Sequence, residues 1–204
     1  MDKTKIQQQR MRGYFIAAAK ETLRGEGLRA VSARNIAAKA GYSYATLYNY
    51  FKDVNNLIFE CVVDFQRELS DTAEQAAAAA EPGEERLKAG LTAWLNYFIQ
   101  YPGIFELFFL ERMGDFGNMG ETAEVIRNSI ESAASPGIDD LINGGRFNEE
   151  DRNTLIDVLR FNLTGLILYY SNRRYPPDYP SLISEMKNQI ELILSLPAGC
   201  GGTH

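Results

Sequence analysis

Apolar side chains recur at helical spacing along almost the whole chain, and nowhere do they alternate convincingly with a period of two. In "RGYFIAAAKETLRGEG", Phe15, Ile16, Ala19 and Leu23 form one stripe, and Gly25 and Gly27 stop it. "SARNIAAKAG" then offers Ser32 as an N-cap, a buried face of Ile36, Ala37 and Ala40, and Gly41 as a C-terminal glycine able to take a left-handed backbone. This helix is about two turns long. After the Gly41-Tyr42 turn, Ser43 caps a second short helix in which Leu47 and Phe51 face inward one turn apart. Asp53 caps a long helix carrying Leu57, Ile58, Cys61, Val62, Phe65 and Leu69, which runs through an alanine-rich stretch and ends at Pro82-Gly83. Further helices are predicted over Glu84 to Tyr101, Ile104 to Met113, Glu121 to Asn143 with a bend at Pro136, Glu149 to Asn172, and Pro180 to Leu196. The pattern predicts an all-α fold: a three-helix domain over residues 1–53, then a larger helical domain over residues 54–204.

Charge sharpens that division. The formal net charge of −6 hides an asymmetry: residues 1–52 hold ten Lys/Arg and three acids, a net +7, while the remainder holds 11 basic and 24 acidic residues, a net −13. A basic head on an acidic body is expected where only the head meets a polyanion. Two distant cysteines, Cys61 and Cys200, and a single histidine, His204, argue for a reducing compartment. They also argue against a zinc site or a histidine-based triad, so no metal and no cofactor is expected. The N-terminal stretch is polar, and no run approaches the roughly 20 apolar residues of a membrane span. A cytoplasmic protein without a membrane partner is the expectation.

Two short helices joined by a tight glycine turn, preceded by a third that packs across them, make a helix-turn-helix, whose second short helix enters the DNA major groove. That arrangement accounts for the tyrosine-rich stretch "GYSYATLYNYFKD". With Leu47 and Phe51 inward, Tyr44, Ala45, Thr46, Tyr48, Asn49 and Tyr50 remain on the other faces of a helix too short to hide them. Ala45 lets the backbone approach, and the hydroxyls and amide can bond phosphates or base edges. Tyr42 reads mainly as a wedge between helices.

The run "FIAAAKETLRGEGLRAVSARNIAAKAGYSYATLYNYFKDVNNLI" resembles the TetR family of bacterial transcriptional regulators over about the first 60 residues. Ala18-Ala19, Gly27, Ile36-Ala37, Ala40-Gly41, Ser43, Thr46-Leu47-Tyr48 and Tyr50-Phe51 carry the likeness. The resemblance implies that Arg34 reaches a base edge, a guanine by its bidentate geometry. It implies that Tyr44, Ala45 and Thr46 meet bases or nearby phosphates and that Tyr48, Asn49 and Tyr50 lie on the same DNA-contacting helix, with phosphate bonds from Tyr48 and Tyr50. Lys52 adds charge there, while Ser32 and Ser43 set helix N-termini against the backbone. The family often has lysine where this chain has Val54, and the basic arm Lys3, Lys5, Arg10 and Arg12 is the candidate replacement.

Reading a palindromic operator in double-stranded DNA requires a homodimer with heads about 34–36 Å apart. Leu155, Leu159, Leu163 and Leu166 form one stripe and Leu182, Met186, Ile190 and Ile193 another; paired across a two-fold axis they are the expected dimer interface, which is also the family's arrangement. Trp94, Tyr97, Phe98, Tyr101, Phe105, Phe108, Phe109, Met113 and Phe116 are candidates to line a cavity for a small apolar or aromatic effector, with Asn162, Tyr169 and Tyr170 as polar handles. The sequence holds no nucleophile motif, available histidine or phosphate-cradling loop, and so predicts no enzyme. The expected function is a ligand-responsive dimeric regulator, a repressor by the family's usual mode. The alternative is a helical interaction module whose basic head binds an acidic partner or an anionic surface.

Overall fold

The first helix, α1 (Lys3–Gly25), buries Phe15, Ala18, Ala19 and Leu23 along one face. It stops where the N–H groups of Glu26 and Gly27 both turn back to the Thr22 carbonyl and Gly27 takes a φ of 76°. The computed structural model describes residues 3–111 and 119–195. A single 3-10 turn, Leu28–Ala30, leads into α2 (Ala33–Ala40), α3 (Tyr44–Tyr48) and α4 (Val54–Ala78). Three caps anticipated from sequence form as hydrogen bonds. Ser32 Oγ accepts from the Asn35 N–H at 3.2 Å, Ser43 Oγ from the Thr46 N–H at 3.2 Å, and Asp53 Oδ1 from the Asn56 N–H at 2.7 Å. At the end of α2, Gly41 takes a φ of 81°, the Tyr42 N–H reaches the Ala37 carbonyl, and the Gly41 N–H reaches that of Ala38. This is the double bond of a glycine-terminated helix.

The remaining helices are α5 (Glu84–Gln100), α6 (Pro102–Phe105), α7 (Met119–Arg127), α8 (Ser129–Asn143), α9 (Arg152–Ser171) and α10 (Tyr179–Ser195). Every regular element among the described residues is helical, as the apolar pattern requires. Two elements differ from expectation. The helix foreseen from Ile104 begins at Pro102 and opens into a π-turn, Glu106–Leu110. The single helix foreseen from Glu121 to Asn143 is two, broken at Asn128, whose ψ of −2° leaves the helical range. Pro136 lies inside α8 and does not mark the break.

Two compact units divide the chain: residues 1–67 with 101–126, and residues 68–100 with 127–204. In the first unit α1, α2, α3, α6 and the start of α4 close over Phe15, Leu23, Ile36, Leu47, Phe51, Leu57 and Phe65. Cys61 is also interior there, and burial pushes its thiol pKa up to about 12, so it is a packing side chain and not a nucleophile.

In the second unit α5 and α8 approach at two glycines that face each other's backbones. A Cβ on Gly90 would stand 2.2 Å from the Ala133 carbonyl oxygen, and one on Gly137 would stand 2.4–2.5 Å from three atoms of Leu87. Helix packing this close is possible only where the side chain is a hydrogen atom. Lys88 ties α5 to α10: its ammonium lies 2.9 Å from Glu84 and 2.7 Å from Glu191. Burial pulls its pKa down, but the Glu191 and Glu84 carboxylates more than offset this and hold it above the ordinary lysine value. Gly137→Ala is expected to destabilise the fold by about 3 kcal/mol, the upper end for an overpacked core, because the atoms it meets are mostly backbone. Urea unfolding should show a lower midpoint, whereas Gly145→Ala, at a left-handed but open position, should cost less.

Candidate nucleic-acid interface

One turn of helix, α3, with its caps Ser43 and Asn49, carries most of the residues marked from sequence for DNA contact. In α3, Leu47 is fully buried, and Phe51, just past the helix, is buried edge-on against Phe15 with ring centroids 6.3 Å apart. The remaining side chains are left outside: Tyr44 is 54% exposed and Tyr48 49%. Ser32, Arg34, Ser43, Ala45, Asn49 and Lys52 are also exposed, and Thr46 and Tyr50 are half-buried. Solvent therefore reaches all ten residues marked from sequence for DNA contact. The Arg34 guanidinium lies 5.9 Å from the Tyr44 ring centroid, which joins the α2 cation to the first residue of α3. Thr46 Oγ1 lies 2.9 Å from Ser43 Oγ, so its hydroxyl is already engaged in the cap. Tyr42 stacks on Tyr14 and tilts against Phe15, a partial wedge with an exposed edge.

The head's cations fall into two groups. Lys20 bonds Asp64, and Lys39 reaches Glu21 and Glu26. The hydrogen bond that Lys39 donates to the Glu21 carboxylate raises the Lys39 pKa above its ordinary value. Arg12 does not belong to a free basic arm. Its guanidinium donates to the Tyr50 carbonyl at 2.7 Å and to Glu60 at 2.5 Å, and covers the Phe51 ring at 4.5 Å. It is a clamp joining α1, the turn after α3, and α4. Arg12 precedes Phe15 by three residues and Ile16 by four, in phase with the buried stripe, a signal that it faces inward but not of what it meets. By contrast Lys5, Arg10, Arg29, Arg34 and Lys52 are exposed with no carboxylate partner among the described residues. Short polar and aromatic side chains on a one-turn helix, flanked by uncompensated cations, can bond phosphate oxygens and base edges.

Residues 15–61 match the family model described as bacterial regulatory proteins of the tetR family. The head is a TetR-family DNA-binding domain. No curated protein is similar enough in sequence to match the chain. Among solved structures, a Rhodococcus sp. protein titled as a TetR-family transcriptional regulator superposes with a TM-score of 0.72 at 14% identity, covering 91% of this chain and all of that one. The fatty acid degradation regulator FadR of Bacillus halodurans gives 0.68 at 16% identity, covering 94% of this chain and 99% of that one. FadR of Bacillus subtilis, in complex with stearoyl-CoA, gives 0.70 at 16% identity, covering 89% and 97%. Beyond the head, the likeness is one of fold alone.

The residues marked for the TetR-like body are placed less simply. Trp94, Tyr97 and Phe98 are buried in the second unit, with Phe98 meeting Trp94 at 4.8 Å and Tyr97 at 5.8 Å. Tyr101, Phe105, Phe108 and Phe109 belong to the first unit, so the aromatic set is divided. Met113 and Phe116 lie outside the described residues. Tyr170 and Asn162 are half-buried on α9, and Asn162 Oδ1 is buried without a hydrogen-bond partner. Tyr169 is on the outer face, beside Arg174, and is not an inward handle.

The eight side chains marked for a dimer interface, Leu155, Leu159, Leu163, Leu166, Leu182, Met186, Ile190 and Ile193, are all buried within the single chain. They are the body's own core, since the most regular apolar stripe of a helix is the one its own domain covers first. The large apolar and aromatic side chains that α9 and α10 leave outside are Val158, Phe161, Tyr169, Tyr179 and Leu192, with Phe161 72% and Leu192 66% exposed.

Arg12→Ala is expected to lower stability by about 2 kcal/mol, through loss of the carbonyl bond and the aromatic contact. It should appear as a lower denaturant midpoint at unchanged slope, with Arg12→Lys intermediate because an ammonium lacks the planar fork.

Proposed function

We propose that the chain is a dimeric, ligand-responsive repressor that reads a palindromic operator in double-stranded DNA and releases it when a small, largely apolar or aromatic effector binds the helical body. Reading is assigned to residues 1–53, and effector binding and dimerisation to residues 54–204. The observation that carries this reading is the outward face of α3 with Arg34 beside it, which joins exposed hydrogen-bonding side chains to uncompensated positive charge. Arg34 is the proposed base reader. Tyr48, Tyr50, Lys52 and the capped helix starts at Ser32 and Ser43 are the phosphate contacts, and Tyr44, Ala45, Thr46 and Asn49 face the groove.

Dimerisation through the outer faces of α9 and α10 is supported by Phe161 and Leu192. Gly165, one turn beyond Phe161, has nothing within 4 Å of where a Cβ would stand, which leaves room for an aromatic ring from a second copy. For the effector, Trp94, Tyr97, Phe98, Tyr170 and the unpartnered Asn162 amide oxygen support an apolar site with a polar handle. The stearoyl-CoA held by the Bacillus subtilis FadR of like fold agrees with an apolar effector. Helix α4 belongs to both units and is the natural lever. An effector that favours a spacing of the heads unlike the 34–36 Å of the operator (about one helical turn) weakens DNA binding, and DNA weakens effector binding by the same factor.

Selection of bound sequences from a random duplex pool should yield a palindrome. Arg34→Ala should then cost about 1–3 kcal/mol per half-site on that palindrome and little on random duplex. Lys52→Ala should weaken both alike and reduce the slope of log affinity against log salt by about 2 for a dimer; a slope that does not change removes Lys52 from the phosphate contacts. Phe161→Glu, at an exposed position, should leave the fold intact and shift the sedimentation of the protein from dimer to monomer. A dimer that survives this change is built elsewhere.

A further inference from the structure

The first unit holds a cavity of about 1060 Å³, between the 3-10 turn, the start of α2, the end of α3, the first turns of α4 and the π-turn. The proposed DNA face does not account for it. Its apolar wall includes Leu28, Val54, Ile58 and Leu110, and Leu110 is half exposed. Set against this wall are two carboxylates, Glu106 and Glu111, whose side chains have no cationic or hydrogen-bond partner among the described residues. Glu106 Oε2 stands over Gly27, 3.9 Å from where a Cβ would lie, at the cavity wall. The third acid there, Glu26, is engaged by Lys39 at 3.6 Å, and Arg29 is the cation among the wall residues. The wall therefore carries an excess of negative charge inside a head whose sequence is strongly basic. Tyr48 adds an aromatic ring at the end of α3.

We propose that this cavity binds a small organic cation, an amine or onium group bearing an apolar or aromatic body. Carboxylates without a partner among the described residues supply the counter-charge, the aliphatic wall takes the apolar body, and the Tyr48 ring offers its negative face to the cation. An occupant touches Ser32 and Tyr48, so it shares two side chains with the proposed DNA face. This last consequence alone rests on the DNA reading.

The test uses the full chain without DNA. Tetraphenylphosphonium is titrated calorimetrically into the protein and into the Glu106→Gln/Glu111→Gln double variant, with tetraphenylborate as the ion of the same shape and opposite charge. Binding of the phosphonium should be about tenfold weaker in the double variant and should weaken with added salt, whereas binding of the borate should not weaken. Equal phosphonium affinity for both proteins, equal weakening of both ions, or no phosphonium binding at millimolar concentration would each overturn the proposal. Thermal unfolding of the double variant should match that of the parent, because both glutamates lie at the cavity surface and have no partner among the described residues. With no duplex present, failure of operator reading would leave this result intact.

Discussion

A helix of five residues cannot hold its own orientation. One turn fixes the backbone of several residues for very few internal hydrogen bonds, so its stability is borrowed from what surrounds it. Everything the head can read depends on how α3 is held. The glycine-terminated turn at Gly41 sets the chain's entry, the Ser43 cap closes the first turn, and Leu47 and Phe51 anchor the underside on Phe15. The Arg12 clamp then locks the exit, bonding the Tyr50 carbonyl while its other branch holds Glu60 on α4. With one face fixed so completely, the rest of a very short helix is free for polar and aromatic side chains.

The charge of the head has to be read through the same geometry. A net +7 over the first 52 residues suggests a surface that is positive throughout, but Arg12, Lys20 and Lys39 are engaged with carboxylates inside the unit. What is left exposed is a smaller set, of which Arg34 and Lys52 lie next to or within the α3 region. Electrostatics therefore does two things in one domain: it joins α1 to α4, and it leaves charge for a partner where helix N-termini and hydroxyls are also presented.

In the second unit the controlling constraint is steric. Gly90 and Gly137 let α5 and α8 approach until backbone meets backbone, and the chain continues as helix through Pro136. The long apolar stripes of α9 and α10 are buried in the same unit. A different and smaller set of apolar side chains, Phe161 foremost, is left facing outward.

The sequence by itself determined the all-helical class, the glycine at each turn, and the caps at Ser32, Ser43 and Asp53. These depend on local backbone chemistry, and a cap or a left-handed glycine works within about four residues of chain. Periodicity likewise marked Leu47 and Phe51 as inward and their neighbours as outward, so which side chains of α3 are exposed was legible residue by residue. Tertiary structure decided what periodicity cannot. A stripe of leucines reports that a face is apolar, not whether its own chain or a second copy covers it, and all eight residues of the α9 and α10 stripes proved to be interior. An arginine in a basic run reports a charge and not its partner, and Glu60, 48 positions away, is what turned Arg12 from a candidate DNA contact into a clamp. The cavity beside Glu106 and Glu111 was likewise invisible along the chain, because it is assembled from four separate stretches that meet only when the unit folds.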